Sequence, residues 1–97
     1  MYMVVTEWKP KPGMRDEFER AGRAVGNLLR KQDGVTMVEV FDSGDRLIAV
    51  HAYADESTYR RIIHDPEGAF AQAVAENHIE DYGDWVSTVS GETVPHD

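Results

Sequence analysis

The feature that most constrains this sequence is a pair of adjacent β-rich runs, Val35–Asp42 and Arg46–Ala54, separated only by Ser43-Gly44-Asp45. Gly44 can supply the positive φ that a short connection demands, so the two runs read as a hairpin. Both runs carry apolar residues on both faces. In the second, Ile48, Val50 and Ala52 form one row, and Leu47, Ala49, His51 and Tyr53 form the other; in the first, Val38 and Val40 alternate with Met37, Glu39 and Phe41. A sheet with one wet face alternates cleanly between apolar and charged residues, so both faces of this hairpin are expected to be covered. The helices of one small chain can cover one face. The other is expected to pack on a second copy, which makes the chain a homodimer.

The remaining elements arrange themselves around that hairpin. Tyr2 to Trp8 is rich in β-branched and aromatic residues, and Lys9-Pro10-Lys11-Pro12-Gly13 is expected to end this first strand, because proline lacks the amide a ladder needs. Met14, Phe18, Ala21, Val25 and Leu28 then recur at helical spacing, giving an amphipathic helix that stops near Gln32 before Asp33-Gly34. After the hairpin, Asp55-Glu56-Ser57 offers capping oxygens, and Tyr59, Ile62 and Ile63 follow until Asp65-Pro66 breaks the helix. It resumes with Ala69, Phe70, Ala73 and Val74, and Tyr82 to Val89 supplies the last strand. Strand, helix, hairpin, helix, strand predicts an α+β, ferredoxin-like βαββαβ domain with a four-stranded antiparallel sheet and both helices on one side. At 97 residues there is room for one core, placed in residues 1–91 with a polar tail over 92–97.

Charge removes several function classes. Eighteen acidic against ten basic residues give a formal charge of −8, which repels phosphate backbones and anionic lipid heads, so neither nucleic acid nor membrane is an expected partner. An RNA-binding domain of this topology would need aromatic residues in a basic, glycine-bearing third strand, and Arg46-Leu47-Ile48-Ala49-Val50-His51-Ala52-Tyr53 lacks that pattern. No run approaches the roughly 18 apolar residues of a membrane span, and Met1 to Glu7 has no positive leader region, so the cytoplasm is the expected compartment. There is no cysteine, which removes disulfides and thiolate metal sites. His51, His64, His78 and His96 form no i, i+4 pair, so no metal is expected. Nucleophile-elbow, phosphate-loop and dinucleotide patterns are missing, leaving no visible seat for a flavin or nicotinamide; the expected cofactors are none. Gly22-Arg23-Ala24-Val25-Gly26 within the first helix signals at most a close backbone approach.

Two residues stand out for chemistry. If the hairpin register sets same-face residues opposite one another, Met37, Glu39 and Phe41 share a face with Ala49, His51 and Tyr53, and Glu39 lies diagonal to His51. A carboxylate would then tune an imidazole near neutral pH, giving a general base made of His51 and Glu39. The bland alternative is a satisfied polar pair in a dimer interface. His64, just before the helix break, reads from the chain alone as a capping or solvent-exposed residue. Trp8 and Trp85, the largest apolar side chains, either stack on an aromatic ligand or fill the core.

Certain stretches also carry a family likeness: Lys11-Pro12-Gly13-Met14-Arg15-Asp16-Glu17-Phe18 after the first strand, Asp33-Gly34-Val35, Tyr53-Ala54-Asp55-Glu56, and then Ile63-His64-Asp65-Pro66 with Phe70. In this order and spacing the chain resembles, over nearly its whole length, the antibiotic-biosynthesis monooxygenase-like (ABM) proteins of the dimeric α+β barrel superfamily. The resemblance implies two sheets packed face to face across a dimer and a pocket in each protomer between sheet and helices. It also implies cofactor-independent oxygenation of a small aromatic or polyketide-like compound, with Thr6, Trp8, Tyr53, His64, Phe70 and Trp85 as substrate-binding candidates beside His51 and Glu39. Tyr53 stands where family members often have Trp, which would alter stacking on the substrate. The haem-degrading branch uses Asn, Trp and His where this sequence reads Thr6, Arg61 and Val74, so the likeness does not extend to haem degradation. The competing reading is a non-catalytic homodimeric domain that binds a small hydrophobic ligand or serves as structure.

Overall fold

The computed structural model describes residues 1–95. In chain order the elements are β1 (Tyr2–Pro10), α1 (Arg15–Arg30), β2 (Val35–Asp42), β3 (Leu47–Tyr53), α2 (Glu56–Ile63), α3 (Ala69–Glu76), α4 (Ile79–Tyr82) and β4 (Gly83–Glu92). The strands form one antiparallel sheet in the order β2-β3-β1-β4. This is the α+β, ferredoxin-like arrangement that the element order predicts.

Local chemistry explains where the elements begin and end, and where expectation needs correcting. β1 runs on through Pro10 rather than stopping at Trp8. Pro10 pairs only with Gly83 of β4, whereas β3 has already ended at Leu47 opposite Trp8, so no strand on that side asks for the missing amide. Gly13, at φ 75°, then turns the chain into α1. The buried stripe of α1 is Phe18, Ala21, Val25 and Leu29. Met14 is instead the exposed residue that precedes the first turn, and Leu28 lies on the flank, since about 3.6 residues per turn bring Leu29 back over Phe18 and Val25. At α2 the Asp55 carboxylate accepts from the Thr58 N–H at 2.8 Å and from the Ser57 and Thr58 hydroxyls, contacts that hold it below the usual carboxylate range. The helix break at Asp65-Pro66 is where the sequence places it. α4 is an addition: it follows His78, which takes a left-handed conformation, and it absorbs Tyr82, so the last strand starts at Gly83. That strand also continues to Glu92, beyond the expected Val89, because Ser90, Gly91 and Glu92 complete the ladder with Val4, Met3 and Tyr2.

All helices lie on one side of the sheet, and the core there is split in two. One cluster holds Tyr2, Val4, Leu29, Val38, Tyr53 and Ile62. The other holds Phe18, Ala21, Val25, Leu47, Ala73 and Ile79. Phe70 packs against both. The opposite face has no helix, and Val5, Phe41 and Val89 on it are exposed. No helix among the described residues is long and apolar enough to cross a membrane.

Candidate functional site

A cavity of about 660 Å³ separates the two core clusters, walled by Leu29 and Val38 from one and by Phe18, Val25 and Leu47 from the other. Its floor is the helix-covered face of the sheet. The register sets Tyr2, Val4, Thr6 and Trp8 opposite Tyr53, His51, Ala49 and Leu47, so these eight residues share that face. Mostly apolar side chains line the space, with a polar island at Thr6 and His51.

His51 and Thr6 are both buried, and His51 Nε2 lies 3.4 Å from Thr6 Oγ1. On its other side His51 Nδ1 is 2.6 Å from the Tyr53 hydroxyl. Burial pushes the His51 imidazole down to about 4, so near neutral pH the ring is uncharged. Burial raises Tyr53 above the ordinary tyrosine value, which keeps its proton on. The expectation of an imidazole poised near neutrality therefore fails: no carboxylate is there to offset desolvation.

Glu39 is the reason. β2 pairs with β3 so that Val38, not Glu39, stands opposite His51, while Glu39 stands opposite Val50. Glu39 is exposed and only borders the cavity, its backbone position belonging to the helix-free face. The His51–Glu39 pair is thus not assembled. The cause is one residue of loop: Ser43 N–H donates to the Arg46 carbonyl at 2.9 Å and Asp42 pairs with Leu47, so the connection spans four residues instead of three. A shift of one residue moves every side chain to the other face.

The remaining candidates separate into wall and surroundings. Trp8, Phe70 and Trp85 line the cavity with Thr6 and His51. Trp8 rests on Phe18 with ring centroids 5.7 Å apart. Trp85 reaches the same face because the β1–β4 register shifts between Glu7 and Trp8, leaving Val86 as the extra residue and setting Trp85 opposite Trp8. Although 59% exposed, Trp85 is fixed by donating from Nε1 to Thr88 Oγ1 at 2.8 Å. Tyr53 is fully buried behind His51 and is not part of the wall, so it cannot stack on a substrate. His64 is exposed at the end of α2, its ring 5.2 Å from that of Tyr59, a wall residue; it touches the cavity only through that neighbour.

Sequence reasoning missed the contribution of α1. Gly22 and Gly26 both line the cavity. A Cβ at Gly22 would meet nothing within 4 Å, and one at Gly26 would meet only Val38 Cγ1 at 3.7 Å. These glycines leave room rather than permit close approach, and two glycines one turn apart in an otherwise good helix former were the available signal. Arg23 and Asn27 stand on the same wall. Among the described residues, no group of three or more His, Cys, Asp or Glu side chains is placed to hold a metal ion; His96 lies outside the described residues.

A family model for antibiotic biosynthesis monooxygenases matches residues 1–75. The chain belongs to this family. SnoaB, a cofactor-independent oxygenase from Streptomyces nogalater, superposes with a TM-score of 0.79 at 14% identity, covering 98% of this chain and 94% of that one. A Nitrosomonas europaea protein assigned as an antibiotic biosynthesis monooxygenase gives 0.80 at 16% identity, covering 98% and 100% of the two chains. Rv0793 from Mycobacterium tuberculosis gives 0.70 at 17% identity, covering 99% and 95%. At such identities the likeness establishes the fold. No curated protein matches the sequence significantly.

Proposed function

We propose that this ABM-family chain is a cofactor-independent monooxygenase that oxidises a small aromatic or polyketide-like compound in the cavity between sheet and helices, working as a homodimer. The observation that carries the reading is the cavity itself: a mostly apolar cleft of about 660 Å³, in the size range of small-molecule sites, with Thr6 and His51 at its floor and charged residues of α1 and β2 along its wall. The family and the likeness to SnoaB support the reaction type. In such a reaction an ionised substrate carbon adds to dioxygen, the O–O bond then breaks, and water leaves, so that a CH₂ group becomes C=O and the substrate supplies all four electrons that reduce dioxygen to one carbonyl oxygen and one water. The dimer is supported by the exposed apolar residues Val5, Phe41 and Val89 on the helix-free face.

Oxygen consumption with a panel of quinols and anthrone-type compounds tests this directly. Uptake by the wild-type protein, with one oxygen atom recovered in the product, is expected for at least one compound, and His51→Ala is expected to lower it by a hundredfold or more while folding is retained. A panel without uptake would leave the cavity a binding site only and sink the oxygenase reading.

A further inference from the structure

We propose that His51 Nε2 and Thr6 Oγ1 form a two-donor seat for one anionic oxygen of the ligand, and that Tyr53 is the positioning residue that holds His51 in the donating form. This rests on the cavity being the ligand site, and it names the species bound there: an aromatic phenolate or enolate, already ionised, rather than its neutral acid.

Tyr53 is fully buried, and its hydroxyl has one partner among the described residues, His51 Nδ1 at 2.6 Å. The neutral imidazole carries one proton, which sits on either Nδ1 or Nε2. With the proton on Nδ1, the ring donates to Tyr53 and the Tyr53 hydroxyl proton has nowhere to go, an orphaned donor in the middle of the core. With the proton on Nε2, Tyr53 donates to Nδ1 through the short bond, and the hydroxyl proton left without a protein acceptor is that of Thr6, which lines the cavity rather than the closed core. The second arrangement is the one the geometry supports.

Its consequence reaches Thr6. Nε2 now bears hydrogen and cannot accept from the Thr6 hydroxyl, which is left free to donate elsewhere. The Nε2–H in turn makes only a long contact of 3.4 Å to Thr6 Oγ1, so it is poorly used within the protein. Both residues line the cavity, whereas Tyr53 lies behind them, so both spare donors belong to the cavity side. Two donors 3.4 Å apart can converge on a single oxygen that lies about 2.7–3.1 Å from each, the arrangement of an oxyanion seat.

The charges around the seat allow it. Val4 and Val38 flank His51 on the neighbouring strands. The charged wall residues are Glu19, Arg23, Arg30, Glu39 and Asp42, all on α1 and β2, and none of them hydrogen-bonds to His51. Glu19 and Asp42 are both bound to Arg15. Tyr59, the titratable wall residue of α2, is shifted by burial toward its neutral form. A base that would take the substrate's proton is therefore not part of the seat, and the ligand must arrive as its anion or ionise as it binds.

4-Nitrophenol is a suitable probe, because its phenolate absorbs at longer wavelength than its neutral form. Titrating the full chain with it across pH is expected to show the bound probe ionising at least tenfold more readily than the free one. Thr6→Val, which keeps the shape and removes one donor, is expected to abolish most of that gain. Nitrogen-15 NMR of the wild-type protein is expected to show His51 protonated on Nε2, and Tyr53→Phe to release the ring into a mixture of both forms. A probe bound in its neutral form, no binding at millimolar concentration, or a wild-type His51 protonated on Nδ1 would each overturn the seat. Phenolate binding without oxygen uptake on any quinol would keep the seat and remove the oxygenase reading; neutral binding with uptake would do the reverse.

Discussion

The two faces of the sheet handle burial in opposite ways. The helix-covered face has a generous supply of cover and leaves part of it unused: its core splits into two clusters, and the space between them holds His51 and Thr6. The helix-free face lacks cover altogether and exposes Val5 and Val89, paired across β1 and β4, and Phe41 on β2 at the opposite edge of the sheet. The first face sacrifices packing for a chamber, and the second leaves apolar surface exposed. Measurements that perturb one face and leave the other alone will show whether the division is real.

The largest effect is expected on the helix-free face. Replacing both Val5 and Val89 by Glu would place like charges against one another across the proposed dimer interface. Association between protomers should weaken by at least a hundredfold, which at 1.4 kcal/mol per tenfold is about 3 kcal/mol. Sedimentation velocity at micromolar concentration checks this. A wild-type protein that sediments as a monomer would mean that the exposed face has some other purpose.

The order of elements along the chain, the helix break at Asp65-Pro66 and the apolar character of both hairpin faces were legible because each rests on local chemistry: proline, glycine and the periods of helix and strand. Which hairpin face was which was not legible. That depended on whether Arg46 belongs to the loop or to the strand, and one residue moved Glu39 away from His51. Trp85 was placed on the right face only through a register shift between Glu7 and Trp8 that no residue of the sequence announces. The Tyr53–His51 bond was likewise hidden, since two residues on one strand face gave no sign of which would be wall and which support.

A second effect, of similar size but on the cavity side, concerns acid. His51 has a folded value of about 4 against an ordinary 6.5, so between these values the unfolded chain binds a proton that the folded one refuses. Stability is then complete above about pH 6.5 and falls as pH drops toward 4, by roughly 3 kcal/mol in all. Chemical denaturation at pH 7, 6, 5 and 4 should show this slope. In His51→Gln the slope between pH 6.5 and 5 should largely vanish, whatever the substitution does to stability at pH 7, because few carboxylates titrate there. An unchanged slope would place the acid sensitivity elsewhere and return His51 to an ordinary solvated pKa.

The smallest effect separates chamber from packing most cleanly. Gly22 sits within α1, where glycine costs about 1 kcal/mol relative to alanine, and a Cβ there would touch nothing within 4 Å. Gly22→Ala should therefore stabilise the protein by about that amount, seen as a higher denaturation midpoint with unchanged denaturant dependence. The same methyl group projects into the cavity, so the larger members of a ligand series should lose affinity while 4-nitrophenol binds as before. Gly26→Ala, whose Cβ would reach ordinary contact with Val38, should give a similar gain in stability and a weaker narrowing. If both substitutions stabilise the fold without touching the size preference, the space beside α1 is only loose packing, and the chamber ends at His51 and Thr6.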